Sequence, residues 1–192
     1  MNSSIAQTGT GAHIDVLAPR AADIHIFDIA RALSRTARWN GWTNTALTSS
    51  VAEHSVRVSW LCDTFCPEYA LWGLLHDAAE AYTGDCITPL KRQLPDFRTV
   101  EEAIERAVAE RFDLPWPMPQ VVKDMDALAL AWEGRDHMTP PVRTAQSENL
   151  FFINGKGRET LPEPWHETQA QKMFLGRFAE LAGDPLPPSA AA

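Results

Sequence analysis

With 192 residues, 45% of them hydrophobic and 22% charged, the chain has the makings of one ordinary globular domain, which excludes a disordered, fibrous or disulfide-stapled protein. A formal charge of −8 excludes a broad electrostatic footprint for nucleic acid or anionic lipid, while leaving room for a small anion held by a few local cations. No apolar run reaches the about eighteen residues of a membrane span, and the N-terminal stretch lacks a basic start and an apolar segment, so a cytoplasmic protein, of a bacterial cell or a phage-infected one, is expected.

Residues 1–23, rich in Gly, Ser, Thr and Ala, show no sustained period and are expected to form an irregular lead-in to a single domain over 24–183. A first helix is predicted from Asp23 or His25 through IFDIARALSRTARW, with Ile26, Ile29, Ala30, Leu33 and Ala37 at helical spacing and Asn40-Gly41 as its stop. Ser50, three residues before Glu53, sets up a capping box for a second helix, VAEHSVRVSWLCDTF, which carries His54 in its first turns. Pro67 opens a third, PEYALWGLLHDAAEAY, apolar on almost every side until Gly84 stops it; such a helix belongs in the middle of the protein.

GDCITPLKRQLP reads as a loop, and FRTVEEAIERAVAERF as an amphipathic helix with Val100, Ile104, Ala107 and Val108 on one stripe. After the breaker run LPWPMP, a long helical pattern, VVKDMDALALAWEGRDHM, holds Asp126 and ends before Pro140-Pro141. Residues 139–165, around LFFI, suit a loop or a brief strand pair; a last helix is expected over about 166–181, and 184–192 as a flexible tail. Cys62, Cys66 and Cys86 lack any zinc or redox spacing and are expected as free thiols.

The chemistry concentrates in His76-Asp77-Ala78-Ala79-Glu80, on the most apolar of these helices. Acids taken out of water cost several kcal/mol each unless paired or coordinated, so a cation is expected against them. Adjacent helical residues point about 100° apart, which lets a His and the following Asp reach one ion, with Glu80 a turn on. The metalloprotease pattern His-Glu-x-x-His fails, because position 80 is Glu. His54 and Asp126 are the candidates for completing the set, since each interrupts an otherwise apolar helical face. Two His and two Asp suit Mn2+, Co2+, Fe2+, Ni2+ or Zn2+ better than copper(I) or an iron–sulfur cluster.

This order of residues resembles the HD-domain phosphohydrolase superfamily, defined by a distant His, an adjacent His-Asp pair and a later Asp. Arg38-Trp39, Ser50-Val51-Ala52-Glu53-His54-Ser55, the run from Leu75 to Asp85, Thr88-Pro89-Leu90-Lys91, and Val122-Lys123 ahead of Asp126 are similar to its 5'-deoxynucleotidase branch, over roughly residues 25–138. The resemblance implies an all-α helical bundle with the metal site between helices. It implies His54, His76, Asp77 and Asp126 as ligands of one divalent metal, with Mg2+ or a second ion also compatible. It makes Glu80 and Asp85 the catalytic carboxylates, and Arg38, Trp39, Thr88 and Lys91 the nucleotide contacts. Trp42 stands where relatives with Arg-Phe-Asn-Gly-His carry His, so that residue's role is absent and base selectivity is expected to differ.

The activity implied first is removal of the 5'-phosphate from deoxyribonucleoside monophosphates. The alternatives are a dNTP triphosphohydrolase of the small phage dATP type, a non-catalytic regulatory HD protein, and a cyclic-nucleotide or alarmone phosphodiesterase. The implied partners are a small nucleotide and further copies of the chain, as a dimer or higher homo-oligomer, with neither nucleic acid nor membrane.

Overall fold

Helices dominate the computed structural model of the chain, which describes residues 4–142 and 160–183, as an all-α bundle requires. The exception lies in the stretch expected to be irregular. β1 (Ile5–Gln7) and β2 (His13–Asp15) pair antiparallel, with Ile5 opposite Asp15. A distant contact holds this hairpin: the Thr10 amide and hydroxyl donate to the two carboxylate oxygens of Asp28 at 2.8 and 2.7 Å. Three-residue strands carry too little alternation to be visible in sequence.

Asp28 belongs to α1 (Ile26–Leu33), which ends earlier than its periodicity predicts. The Ser34 and Thr36 hydroxyls donate to the carbonyls of Arg31 and Ala32, competing with further helical bonds. The chain then runs extended, with the Arg38 amide donating to the Ser49 carbonyl at 2.9 Å, and Trp39 and Asn40 turn through left-handed φ values of 56° and 53°. That turn carries Arg38 and Trp39 to the start of α2.

α2 (Val51–Phe65) begins where the capping box predicts, the Ser50 hydroxyl accepting from the Glu53 amide at 3.3 Å. Every residue from Val51 to Ser59 is buried, so α2 is as central as the helix that follows. That third predicted helix is interrupted. After a 3-10 turn over Pro67–Tyr69 come α3 (Ala70–Leu75) and α4 (Glu80–Thr83), with His76–Ala79 between them. The His76 ring Nδ1 bonds the Gly73 carbonyl at 2.8 Å, and the backbone tightens to three-residue bonds, Ala78 to Leu75 and Glu80 to Asp77.

A further single turn, α5 (Thr88–Lys91), stands inside the segment expected to be all loop, with Pro89 in its first turn. α6 (Pro95–Arg111), α7 (Gln120–Asp136) and α8 (Glu167–Ala182) follow the predicted pattern. The LFFI run of the expected strand pair and the expected tail lie outside the described residues.

Two apolar clusters form the core, one among α1, α2, α3, α6 and α8, the other between α2, α3 and α7. α2 feeds both, Val51, Ala52 and Val56 on one side and Val58, Leu61 and Cys62 on the other. The three cysteines are free. No helix among the described residues is long and apolar enough to cross a membrane.

Candidate metal centre and its cavity

Three segments bring the four predicted ligand residues together: α2 carries His54, the tight turn after α3 carries His76 and Asp77, and α7 carries Asp126. His54 Nε2 lies 2.9 Å from Asp126 Oδ1 and 3.9 Å from Asp77 Oδ2. His76 Nε2 lies 3.1 Å from Asp77 Oδ2 and 3.7 Å from Asp126 Oδ1. One ligand atom each from His54, His76 and Asp126 falls within 4.8 Å of the others, the spread expected of atoms surrounding a cation at about 2 Å.

The donors fit a divalent ion on a second ground. Bonding of His76 Nδ1 to the Gly73 carbonyl turns Nε2 inward, where it is buried and makes no hydrogen bond despite the nearby Asp77 oxygen. A buried ring nitrogen that faces two carboxylates without a well-formed hydrogen bond is costly in a protein interior, and a metal ion held among these groups would satisfy it. Charge points the same way. Buried Arg38 and Arg57 balance buried Glu53 and Glu133, which leaves Asp77 and Asp126 to be neutralised.

Titration reflects that imbalance. Burial alone would lower the pKa of His76, but the carboxylates of Asp77 and Asp126 raise it well above 6.5. Against the burial that would raise them, His76 beside Asp77, and His54 and His76 beside Asp126, hold those two carboxyls below the usual carboxylate range. A proton on His76 does for the charge what a metal ion would do.

Glu133, a residue the sequence reading did not single out, lies behind the ligands. Its Oε1 is 2.8 Å from His54 Nδ1 and its Oε2 accepts from Arg38 Nε at 2.9 Å. Burial opposes its ionisation, yet the Arg38 guanidinium, then His54, hold its carboxyl well below the usual range. Glu133 falls two helical turns after Asp126, on the same face of α7, and that spacing was the available signal. Arg135 and Asp136, which follow Glu133, mask it as the start of a solvated helix end. Arg57 bridges Glu133 and Glu53, and Glu53 in turn accepts from the Trp165 amide at 2.8 Å.

In front of the ligands opens a cavity of about 480 Å3, onto which all the predicted catalytic and substrate residues face. Asp77, Asp126, Glu80 and Asp85 line it together with Arg38, Trp39, Thr88 and Lys91; Trp42, Leu130, Met138 and Val142 form its apolar side. In the tightened backbone, Glu80 falls three residues after Asp77 and lines the cavity with it, rather than lying one regular turn above His76. Glu80 is buried, and its Oε2 has no hydrogen-bond partner. Burial first, then the carboxylates of Asp77 and Asp85, push its pKa up to about 9, and burial raises Asp85 as well.

Both cations of this wall are already paired. Arg38 Nη1 is 3.4 Å from Asp77 Oδ2, besides its bond to Glu133. Lys91 Nζ donates to Glu101 at 2.7 Å and lies 3.7 Å from Glu80. Gly134 gives the Trp39 indole its place: a methyl group there would stand 3.3 Å from Trp39 Cη2.

A helical bundle that converges a His, a His-Asp pair and a later Asp in this order is an HD-domain fold. The profile of the 5'-deoxynucleotidase YfbR-like family matches residues 25–125, a span that holds three of the four converging residues and ends just before Asp126. The uncharacterized Escherichia coli protein YfdR is 40% identical over 187 residues, covering 93% of this chain and 96% of that protein. An uncharacterized Rhodobacter capsulatus protein is 40% identical over 119 residues, 59% of this chain and 61% of its own length. The chain belongs to the YfbR-like family of the HD superfamily, and that membership implies a phosphohydrolase acting on a small nucleotide with the help of a divalent metal.

Proposed function

We propose that the protein removes the 5'-phosphate of deoxyribonucleoside monophosphates, with one divalent transition metal held by His54, His76, Asp77 and Asp126. The observation that carries this reading is the buried Nε2 of His76, without a hydrogen bond of its own, beside His54, Asp77 and Asp126, the last two of which line a nucleotide-sized cavity. When bound, the ion lowers the pKa of water toward about 7 and neutralises charge on a phosphoryl oxygen.

The chain's own residues supply the remainder. Arg38 orients the phosphate from the side of Asp77, and Lys91, held by Glu101, adds positive charge across the cavity. Trp39, with Trp42 at the mouth, receives the sugar and base. Glu80, buried and protonated, donates its proton to the leaving O5' as the bond from phosphorus to O5' breaks, and regains one from the water whose oxygen joins phosphorus. Asp85, on the same wall, orients that water. The products are orthophosphate and the nucleoside.

Charge favours the monophosphate over a triphosphate. Among the described residues, Arg38 and Lys91 are the cations lining the cavity, against Asp77, Asp85 and Asp126 beside the protonated Glu80, so a divalent ion leaves that wall with a net charge of about +1, enough for one phosphate rather than three. A triphosphate needs further cations, and Arg35 pairs with Glu167 instead.

The test is to strip the protein of metal, reload it with Mn2+, Co2+ or Zn2+, and supply each dNMP and dNTP. Orthophosphate from a dNMP is expected. Tripolyphosphate from a dNTP, with dNMPs untouched, would replace this reading with the triphosphohydrolase, and no turnover with any ion would end it.

A further inference from the structure

We infer that Glu133 is a positioning residue that couples the metal centre to the phosphate-orienting arginine, an inference that rests on the function proposed above. One fully buried carboxylate serves both sides. Its Oε1 meets His54 Nδ1 at 2.8 Å, and its Oε2 accepts from Arg38 Nε at 2.9 Å. Neither oxygen faces the cavity, so Glu133 touches no substrate; it acts through its two partners.

The effect on His54 is electronic and geometric. A carboxylate at Nδ1 keeps the proton on that nitrogen, leaves the Nε2 lone pair for the metal, and fixes the plane of the ring. Arg38 is affected differently. Held at Nε by Glu133 and at Nη1 by Asp77, its guanidinium is fixed beside the ligand set, while Nη2 makes no hydrogen bond among the described residues. A phosphate drawn to the metal therefore meets an arginine already in place, because its ordering cost has been met on folding.

α7 carries both parts of this arrangement. It supplies Asp126 directly and, two turns later on the same face, the carboxylate behind His54, so one helix governs the ligand and its support. Arg57, 3.6 Å from Glu133 Oε1 and ion-paired with Glu53, compensates the remaining buried charge.

The experiment titrates metal-stripped protein with Co2+, and the Co2+-loaded protein with inorganic phosphate, both by calorimetry. Wild type is compared with Glu133→Gln, Arg38→Gln and the double variant. Glu133→Gln is expected to weaken Co2+ binding by about 10–100-fold and, at saturating Co2+, to weaken phosphate binding as well. Arg38→Gln is expected to lose phosphate affinity chiefly. The double variant removes opposite charges together, so it keeps the buried network neutral if Glu133→Gln alone fails to fold, and it should retain the Co2+ defect. Nitrogen NMR of wild-type His54 should report a proton on Nδ1, with a signal that moves in Glu133→Gln. Unchanged Co2+ and phosphate affinities in a folded variant, even one of lower Tm, would make Glu133 merely structural and overturn the inference. These binding readouts need no turnover, so a protein inactive on every dNMP would refute the proposed function and leave this coupling standing.

Discussion

Single residues carry the strongest claims because burial makes them costly to keep. Glu80 is buried with one oxygen unpartnered, a position that a packing residue would not hold without loss. Glu80→Gln keeps the shape and removes the titratable proton, so kcat on the preferred dNMP should fall by about 10^2–10^4-fold. Metal content by elemental analysis should stay at the wild-type value. Loss of metal together with rate would instead make Glu80 part of the ion's support. At this scale the residues that the structure brings together were legible as a set: His54 and Asp126 each interrupt an otherwise apolar helical face, and His76-Asp77 lies within the most apolar of the predicted helices. Glu133 was not, because the polar residues that follow it, Arg135 and Asp136, make it read as the start of a solvated helix end, and only the path of α7 past His54 makes it an inward-facing carboxylate.

Among the elements, the junction of α2 and α3 sets the geometry of the ligands. Gly73 sits where α3 crosses α2 so closely that a Cβ would lie 2.8 Å from Cys62 Sγ and 3.1 Å from the Ser59 Cα and the Val58 carbonyl oxygen. Two of those three neighbours are backbone, so they cannot swing aside. Gly73→Ala must therefore push α3 outward, at the cost of about 1–3 kcal/mol typical of overpacking. The same push moves the Gly73 carbonyl that holds His76 Nδ1. The variant is thus expected to lower Tm by several degrees and to weaken Co2+ binding in the protein that remains folded, read by calorimetry; a lower Tm with unaltered Co2+ affinity would detach the helix crossing from the metal centre. Sequence periodicity located the long helices within a residue or two, yet it ran one helix straight through His76–Ala79. Periodicity reports which side is buried, and both sides are buried there, so nothing in the pattern marks the point where a ring nitrogen takes a backbone acceptor.

At the scale of the whole molecule, a divalent ion at the proposed site would complete a buried charge balance, and pH should expose it. In metal-stripped protein, His76 has a pKa raised well above 6.5; its contribution to stability is complete below that value and is lost as pH rises through the folded-state pKa. Asp77 and Asp126, held below 3.8, contribute above that value and lose their contribution as pH falls. The stripped protein should therefore be most stable between these limits and decline toward alkaline pH, where two carboxylates keep their charge and His76 has shed its proton. A divalent ion replaces that proton without titrating, so the loaded protein should hold its Tm. At about one hundred times its Kd the ion adds about 2.7 kcal/mol, or roughly 5–11 °C in a domain of this size. Scanning calorimetry of stripped and Mn2+-loaded protein, from about pH 6 to about pH 8.5, should give Tm curves that diverge as pH rises, because binding expels the His76 proton more easily where fewer His76 side chains hold one. Parallel curves would mean that no proton leaves His76 when the ion binds, and the exchange of a proton for the ion in this charge balance would be abandoned.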